Sequence, residues 1–138
     1  MQEQQLTIDI HSFSYKKGGI PKDVTENGGG FVFDCRGILN PGRIEEYKQQ
    51  TGNDVAVQTY LKEKTKIHDF LDAVHTLVSI NIDNYLQRGF ANLQINFGCT
   101  GGQHRSVYSA IKTAEFIREK YPQVKVVLTH DEQAHLNE

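Results

Sequence analysis

The densest run of chemistry-bearing residues is Gly98-Cys99-Thr100-Gly101-Gly102-Gln103-His104-Arg105-Ser106. Gly101 and Gly102 let a backbone approach a ligand closely, Thr100 and Ser106 carry hydroxyls, and Arg105 carries a planar fork of donors matched to phosphate. The run follows LQINF, 93–97, which alternates apolar and polar as a strand does. It precedes residues 106–121, where Val107, Ala110, Ile111, Ala114 and Ile117 form the apolar stripe of a helix. Strand, glycine-rich turn and helix aim backbone N–H groups and the positive end of a helix dipole at one point, so the turn is predicted to bind an oxyanion. Arg105 is read as an exposed arginine of that turn.

Two familiar phosphate loops are absent: no Lys precedes Ser or Thr in a Walker A pattern, and G-x-G-x-x-G is not formed. Cys99 to Ser106 does fit C-x5-R-S, similar to the loop of protein tyrosine phosphatases, where a thiolate attacks phosphorus and the arginine holds the phosphoryl oxygens. A helix N-terminus and a neighbouring arginine shift a thiol toward thiolate, so Cys99 as nucleophile with Arg105 as clamp is the enzymatic alternative. Gly98 stands where that loop usually has His, and Gln103-His104 is bulky where it must curl around phosphate.

The elements that must position these residues are legible on either side. LTIDI, 6–10, alternates as a strand, HSFSYKKGGIP is broken by Gly18, Gly19 and Pro21, and 23–30 is loop. FVFD, 31–34, is a second strand, with Cys35 and Arg36 just beyond its end. Asn40-Pro41-Gly42 marks a turn, 43–50 a short helix, and Asn53 or Asp54 the cap of another through about Leu61. The clearest helical period covers 66–88, with Ile67, Phe70, Leu71, Val74, Leu77, Val78, Ile82, Tyr85 and Leu86 on one stripe before Gly89. VKVVL, 124–128, is the last strand, and 129–138 a polar tail. Strands alternating with helices predict an α/β fold: a small, largely parallel sheet of about four strands with helices packed on it. In such a sheet the strand C-termini share one edge where ligands sit, so Asp34 and Arg36 are expected near Thr100 to Arg105. An ion pair tying two loops together is the structural reading of Asp34 and Arg36.

Composition sets the bounds. At 138 residues, one domain with a core over about 5–130 is expected. The net charge of −2, from 15 Lys+Arg against 17 Asp+Glu, excludes a surface built throughout for nucleic acid or acidic lipid. No apolar run approaches a membrane span and MQEQQLTIDI lacks the regions of a secretion signal, so a cytoplasmic protein away from membranes is expected. Cys35 and Cys99 are then reduced thiols, Cys35 a small buried residue at a strand end. His68 and His75 lie seven apart rather than at a helical metal spacing, and His130, Asp131, Glu132 and His135 fall in the tail. No metal and no cofactor are expected.

Three segments, GCTGGQHRSV at 98–107, FVFDCRGILNP at 31–41 and FSYKKGGIP at 13–21, together resemble the C-terminal domain of the RNase adapter protein (RapZ) family, whose corresponding segments read GCTGG-x-HRSV, FDVR-x-LPNP and F-x-[FY]-K-x-G-x-P. The resemblance covers about residues 5–130. It implies a phosphofructokinase-subdomain-like fold that binds glucosamine-6-phosphate and takes part in presenting a small regulatory RNA to an endoribonuclease. Carried over residue by residue, it implies a ligand site of Thr100, Gly101, Gly102, His104, Arg105, Asp34 and Arg36, to which the turn adds Ser106. The expected function is a non-catalytic sensor or adapter binding an anionic metabolite, an amino-sugar phosphate, with an RNA-binding module as a further alternative. Gly42 stands where the family has a pocket His, and no Lys or Arg follows Lys125, whereas the family's end is basic for RNA. The family's N-terminal P-loop domain has no counterpart in these residues, so a stand-alone domain is expected, with a separate protein partner in its place.

Overall fold

The computed structural model describes residues 5–27 and 29–138; Met1–Gln4 and Gly28, a position of the predicted 23–30 loop, lie outside them. Four strands, β1 (Thr7–Ser14), β2 (Gly30–Asp34), β3 (Asn92–Cys99) and β4 (Lys125–His130), form a sheet in the order β2-β3-β1-β4, every pair parallel. Three α-helices, α1 (Val55–Lys64), α2 (Ile67–Arg88) and α3 (Arg105–Lys120), complete the α/β arrangement.

The period of two puts Ile8 and Ile10 of β1 beside Leu93 and Ile95 of β3 on one face of the sheet. Val74, Val78 and Ile82 of α2 and Ala110, Ala114 and Ile117 of α3 close over that face in a single cluster. The opposite face carries Asp9, His11, Gln94, Asn96 and Thr129. Gly89 ends α2 in the left-handed region at φ 71°, with Gly89 N–H on the Leu86 carbonyl and Phe90 N–H on that of Tyr85.

Several boundaries differ from the sequence expectation. β1 runs to Ser14 rather than stopping at Ile10, because the buried hydroxyls of Ser12 and Ser14 find partners in His130 Nδ1 (2.7 Å) and the Thr100 carbonyl (2.6 Å). The helix predicted over 43–50 is instead two short 3-10 turns, Pro41–Arg43 and Glu45–Tyr47, separated by extended Ile44. Asp54 does stand at the N-cap of α1, but its carboxylate accepts from Thr51 N–H at 2.7 Å and caps nothing in the helix. The residues read as a polar tail are tied down: His130 closes β4, Asp131 N–H donates to the Ser12 carbonyl, and Asn137 accepts His130 N–H at 2.7 Å. Two stripe residues are not core: Leu77 is 48% exposed and Ile111 half-buried.

Candidate functional site

Parallel register brings Ser14, Asp34, Cys99 and His130 to one edge. There β3 passes into α3 through Thr100 to His104. Ser14 Oγ donates to the Thr100 carbonyl and accepts Lys16 and Lys17 N–H, at 3.2 and 3.0 Å, so the start of the following loop is pinned to the turn. Gly98 is required because a Cβ there would lie 2.4 Å from the Phe13 ring and 2.5 Å from that of Tyr15. Gly102 has φ 65°, and a Cβ on it would meet the Glu132 side chain at 2.9 Å. Gly101, by contrast, faces open space.

His104 caps α3 without a side-chain bond, and among the described residues nothing accepts the N–H groups of Gly101, Gly102, Gln103 or His104. These are unpaired helix-start donors of the kind that hold oxyanions. The three residues that follow Gly102 all turn sideways to grip the segment after β2. Gln103 Nε2 donates to the Lys48 and Gln50 carbonyls at 2.8 and 2.7 Å, and its own carbonyl takes Gly52 N–H at 2.9 Å. His104 Nε2 donates to the Tyr47 carbonyl at 2.9 Å, and burial lowers its pKa, which keeps the imidazole neutral with Nδ1 as the acceptor. Nδ1 would lie 3.5 Å from a Cβ at residue 42, so Gly42 leaves that side of the ring open.

Arg105 corrects the expectation of an exposed arginine: it is 4% exposed. Nη1 donates to the Arg36 and Ile38 carbonyls at 3.1 and 2.7 Å, Nη2 approaches Thr100 Oγ1 at 3.5 Å, and buried Nε has no acceptor among the described residues. Among the described residues no carboxylate lies within ion-pair distance of this guanidinium. A cleft of about 220 Å³ opens here, walled by Thr100, Gly101, His104 and Arg105 on one side and Asn40 and Gly42 on the other. Its free N–H groups and buried cation suit a compact anion.

The other predicted site residues stand around this cleft in different ways. Asp34 and Arg36 form a fork-on-fork pair, Nε to Oδ1 at 2.9 Å and Nη2 to Oδ2 at 2.7 Å, with the Arg36 guanidinium 3.8 Å over the Tyr15 ring. The pair holds the Asp34 carboxyl below the usual carboxylate range, and both side chains remain about half exposed beside the cleft rather than lining it. Ser106 is fully buried with Oγ 3.0 Å from Cys99 Sγ, so its hydroxyl faces the core. Cys99 borders the cleft but is only 2% exposed. Cys35 is buried, its thiol pushed up to about 12 by desolvation. His68 and His75 bond to Tyr108 Oη (2.7 Å) and Thr113 Oγ1 (3.1 Å), joining α2 to α3. No group of three or more metal-ligating side chains occurs among the described residues.

Sequence reasoning missed Ser14, Tyr15 and Asn40, although all three lie inside the segments it quoted. It set Gln103 aside as bulk; nothing local marks that side chain as a strap until the 41–52 segment is seen beside it.

Fold and turn together define a small parallel α/β domain with a glycine-rich strand–turn–helix junction at the C-terminal edge of its sheet. The family model described as the RapZ C-terminal domain matches residues 6–134, and the chain belongs to that family. Similar relatives, each called a nucleotide-binding protein, include one from Endomicrobium trichonymphae, 36% identical over 133 residues (94% of this chain, 44% of the relative). Another, from Bacillus pumilus, is 37% identical over 120 residues (87% and 39%). A third, from Cereibacter sphaeroides, is 40% identical over 103 residues (75% and 32%). The chain spans less than half the length of these relatives. No described helix is long and apolar enough to cross a membrane.

Proposed function

We propose that this chain is a non-catalytic sensor domain that binds a small phosphorylated metabolite, an amino-sugar phosphate, in the cleft at the β3–α3 turn, and passes its occupancy to a macromolecular partner. One observation carries this reading: among the described residues Arg105 is a buried cation with no carboxylate partner and an unpaired Nε, set at the start of α3 beside free N–H groups. Buried charges are normally paired, and a phosphate bridging Nε, Nη2 and the turn amides would supply the missing counter-charge. The sugar would extend past Thr100 toward Asp34, whose carboxylate suits an amine or hydroxyl.

NMR titration with glucosamine-6-phosphate, glucose-6-phosphate and inorganic phosphate tests this. Shifts are expected at the amides of 98–106 and at Arg105 Nε, stronger for the sugar phosphates than for phosphate alone. No shift there with any of the three at millimolar concentration overturns the reading.

The same preparation decides the phosphatase alternative. A thiol as buried as Cys99 should be alkylated slowly by iodoacetamide below neutral pH, without hydrolysis of an aryl phosphate. Rapid alkylation together with hydrolysis lost in Cys99→Ser would transfer the reading to a phosphatase.

A further inference from the structure

The parallel register of β2 on β3 ends with Asp34 opposite Gly98, and Cys35 N–H extends the ladder by donating to the Gly98 carbonyl at 2.7 Å. One step further along, Cys35 stands opposite Cys99. These are the two cysteines of the chain. Both belong to the core cluster on the helix-covered face of the sheet, where Phe33 and Phe97, two positions back, stack across the same strand pair at 5.5 Å. The two Cβ atoms therefore point the same way from backbones about 4.8 Å apart. That separation falls within the roughly 4.4–6.8 Å between Cα atoms that a disulfide spans.

The thiols rest on the start of α3 rather than on each other. Cys99 Sγ lies 3.0 Å from Ser106 Oγ and Cys35 Sγ 3.7 Å from Ser109 Oγ, two serines one turn apart on the helix. Cys35 and both serines are fully buried, whereas Cys99 borders the cleft of about 220 Å³. Desolvation pushes the Cys35 thiol up to about 12, so a small oxidant entering the cleft meets Cys99 first. The family segment FDVR has Val where this chain has Cys35, so the pair belongs to this sequence and not to that pattern.

We propose that Cys35 and Cys99 form a peroxide-responsive dithiol, closing to an intramolecular disulfide that ties the end of β2 to the end of β3 beside the cleft. Cys99, as its thiolate, attacks one oxygen of hydrogen peroxide. The O–O bond breaks and hydroxide leaves, taking up a proton as water, with Cys99 now a sulfenic acid. Cys35 Sγ then attacks Cys99 Sγ, and its proton departs with the displaced hydroxide as a second water. Two thiols lose two electrons in all, and peroxide is reduced to two waters.

The bond acts on the site beside it, whether or not the cleft holds an anion. A disulfide sets its Cβ atoms about 3.8 Å apart, closer than the strand spacing of about 4.8 Å, so closure draws the two strand ends together. Arg36 and Thr100 are the next residues along, and they move with them. Arg105 Nη1 holds the Arg36 carbonyl and Thr100 walls the cleft, so oxidation reshapes both sides of it. A bridge closed against the strand spacing is readily reduced again.

Peptide mapping after millimolar hydrogen peroxide in mildly alkaline buffer tests the pairing, with free thiols alkylated in denaturant before digestion. The wild type should lose both thiols together and the mass of two hydrogens, run as a single chain without reductant, and yield a linked Cys35–Cys99 peptide. Dithiothreitol should restore both thiols. Amide shifts between the two forms should centre on 34–38 and 98–106 with no ligand present. In Cys35→Val the Cys99 sulfenic acid should persist and be captured by dimedone, and in Cys99→Ala the Cys35 thiol should be lost roughly tenfold more slowly. Two thiols still open to alkylation after peroxide, or Cys99 passing to sulfinic acid while Cys35 stays free, overturns the proposal, as does linkage between chains. Loss of Cys35 at the wild-type rate in Cys99→Ala overturns the order of attack. If a variant fails to fold, the wild-type map decides.

Discussion

Arg105 does two things at once. Nη1 holds the carbonyls of Arg36 and Ile38, while among the described residues Nε and the neighbouring turn amides have no partner. Its type and place at the end of a glycine turn point to an anion, and that much is visible in the sequence. Its burial is not, since the carbonyls it holds come from a loop sixty-odd residues away whose path no local pattern specifies. The consequence for mutation differs from that of an exposed arginine. Arg105→Ala should abolish shifts on phosphate titration and also lower unfolding stability by about 1–3 kcal/mol, because two buried carbonyls lose their donor. Arg105→Lys should retain part of the charge but not the bridge, recovering less than half the lost stability in denaturant titration.

At the scale of elements, the segment 41–52 shows tertiary contacts overriding local propensity. RIEEYKQQ has the composition of a helix, yet the carbonyls of Lys48 and Gln50 are taken by Gln103 Nε2 instead of by amides further along the segment, and that of Tyr47 is shared between Gln50 N–H and His104 Nε2. α3 illustrates the reverse. Its stripe of Val107, Ala110, Ala114 and Ile117 is buried as the 3.6-residue period requires, while Ile111, one step round the helix, is only half-buried. Ile117→Ala should therefore cost about 2–5 kcal/mol in chemical denaturation, as a core cavity does, and Ile111→Ala clearly less. Both variants should keep the ligand shifts at 98–106 in the folded fraction.

For the whole molecule, the buried histidines are predicted to lower stability in acid. Burial pushes His130 down to about 4 from the usual 6.5; Asp131 opposes this, while His11 and His135 add to it. The unfolded chain takes up this proton near pH 6.5 and the folded chain only near 4. His130 therefore contributes stability in full above the upper value, and loses it as pH falls through that window, by about 3 kcal/mol at most. Burial lowers His75 and His104 in the same direction. Thermal midpoints measured between the two values should fall with pH, and the fall should be shallower in His130→Gln. An unchanged slope in that variant would assign the acid limit to other groups.

The sequence by itself determined the four strands, the three α-helices, the parallel α/β class and the family, and it singled out the glycine turn as the candidate ligand site. Each rests on signals within some twenty residues: an apolar period of two or 3.6, glycines where a backbone must pass closely, and the GCTGGQHRS run. Only the tertiary structure decided which of the turn's polar groups stay free. Ser106 and Cys99 bond to each other, Asp34 is held by Arg36, and Gln103, His104 and Arg105 all reach the loop after β2. Those assignments depend on which distant carbonyl or carboxylate comes within about 3 Å of a donor, a distance that chain crossovers and side-chain packing set and that spacing along the sequence does not encode.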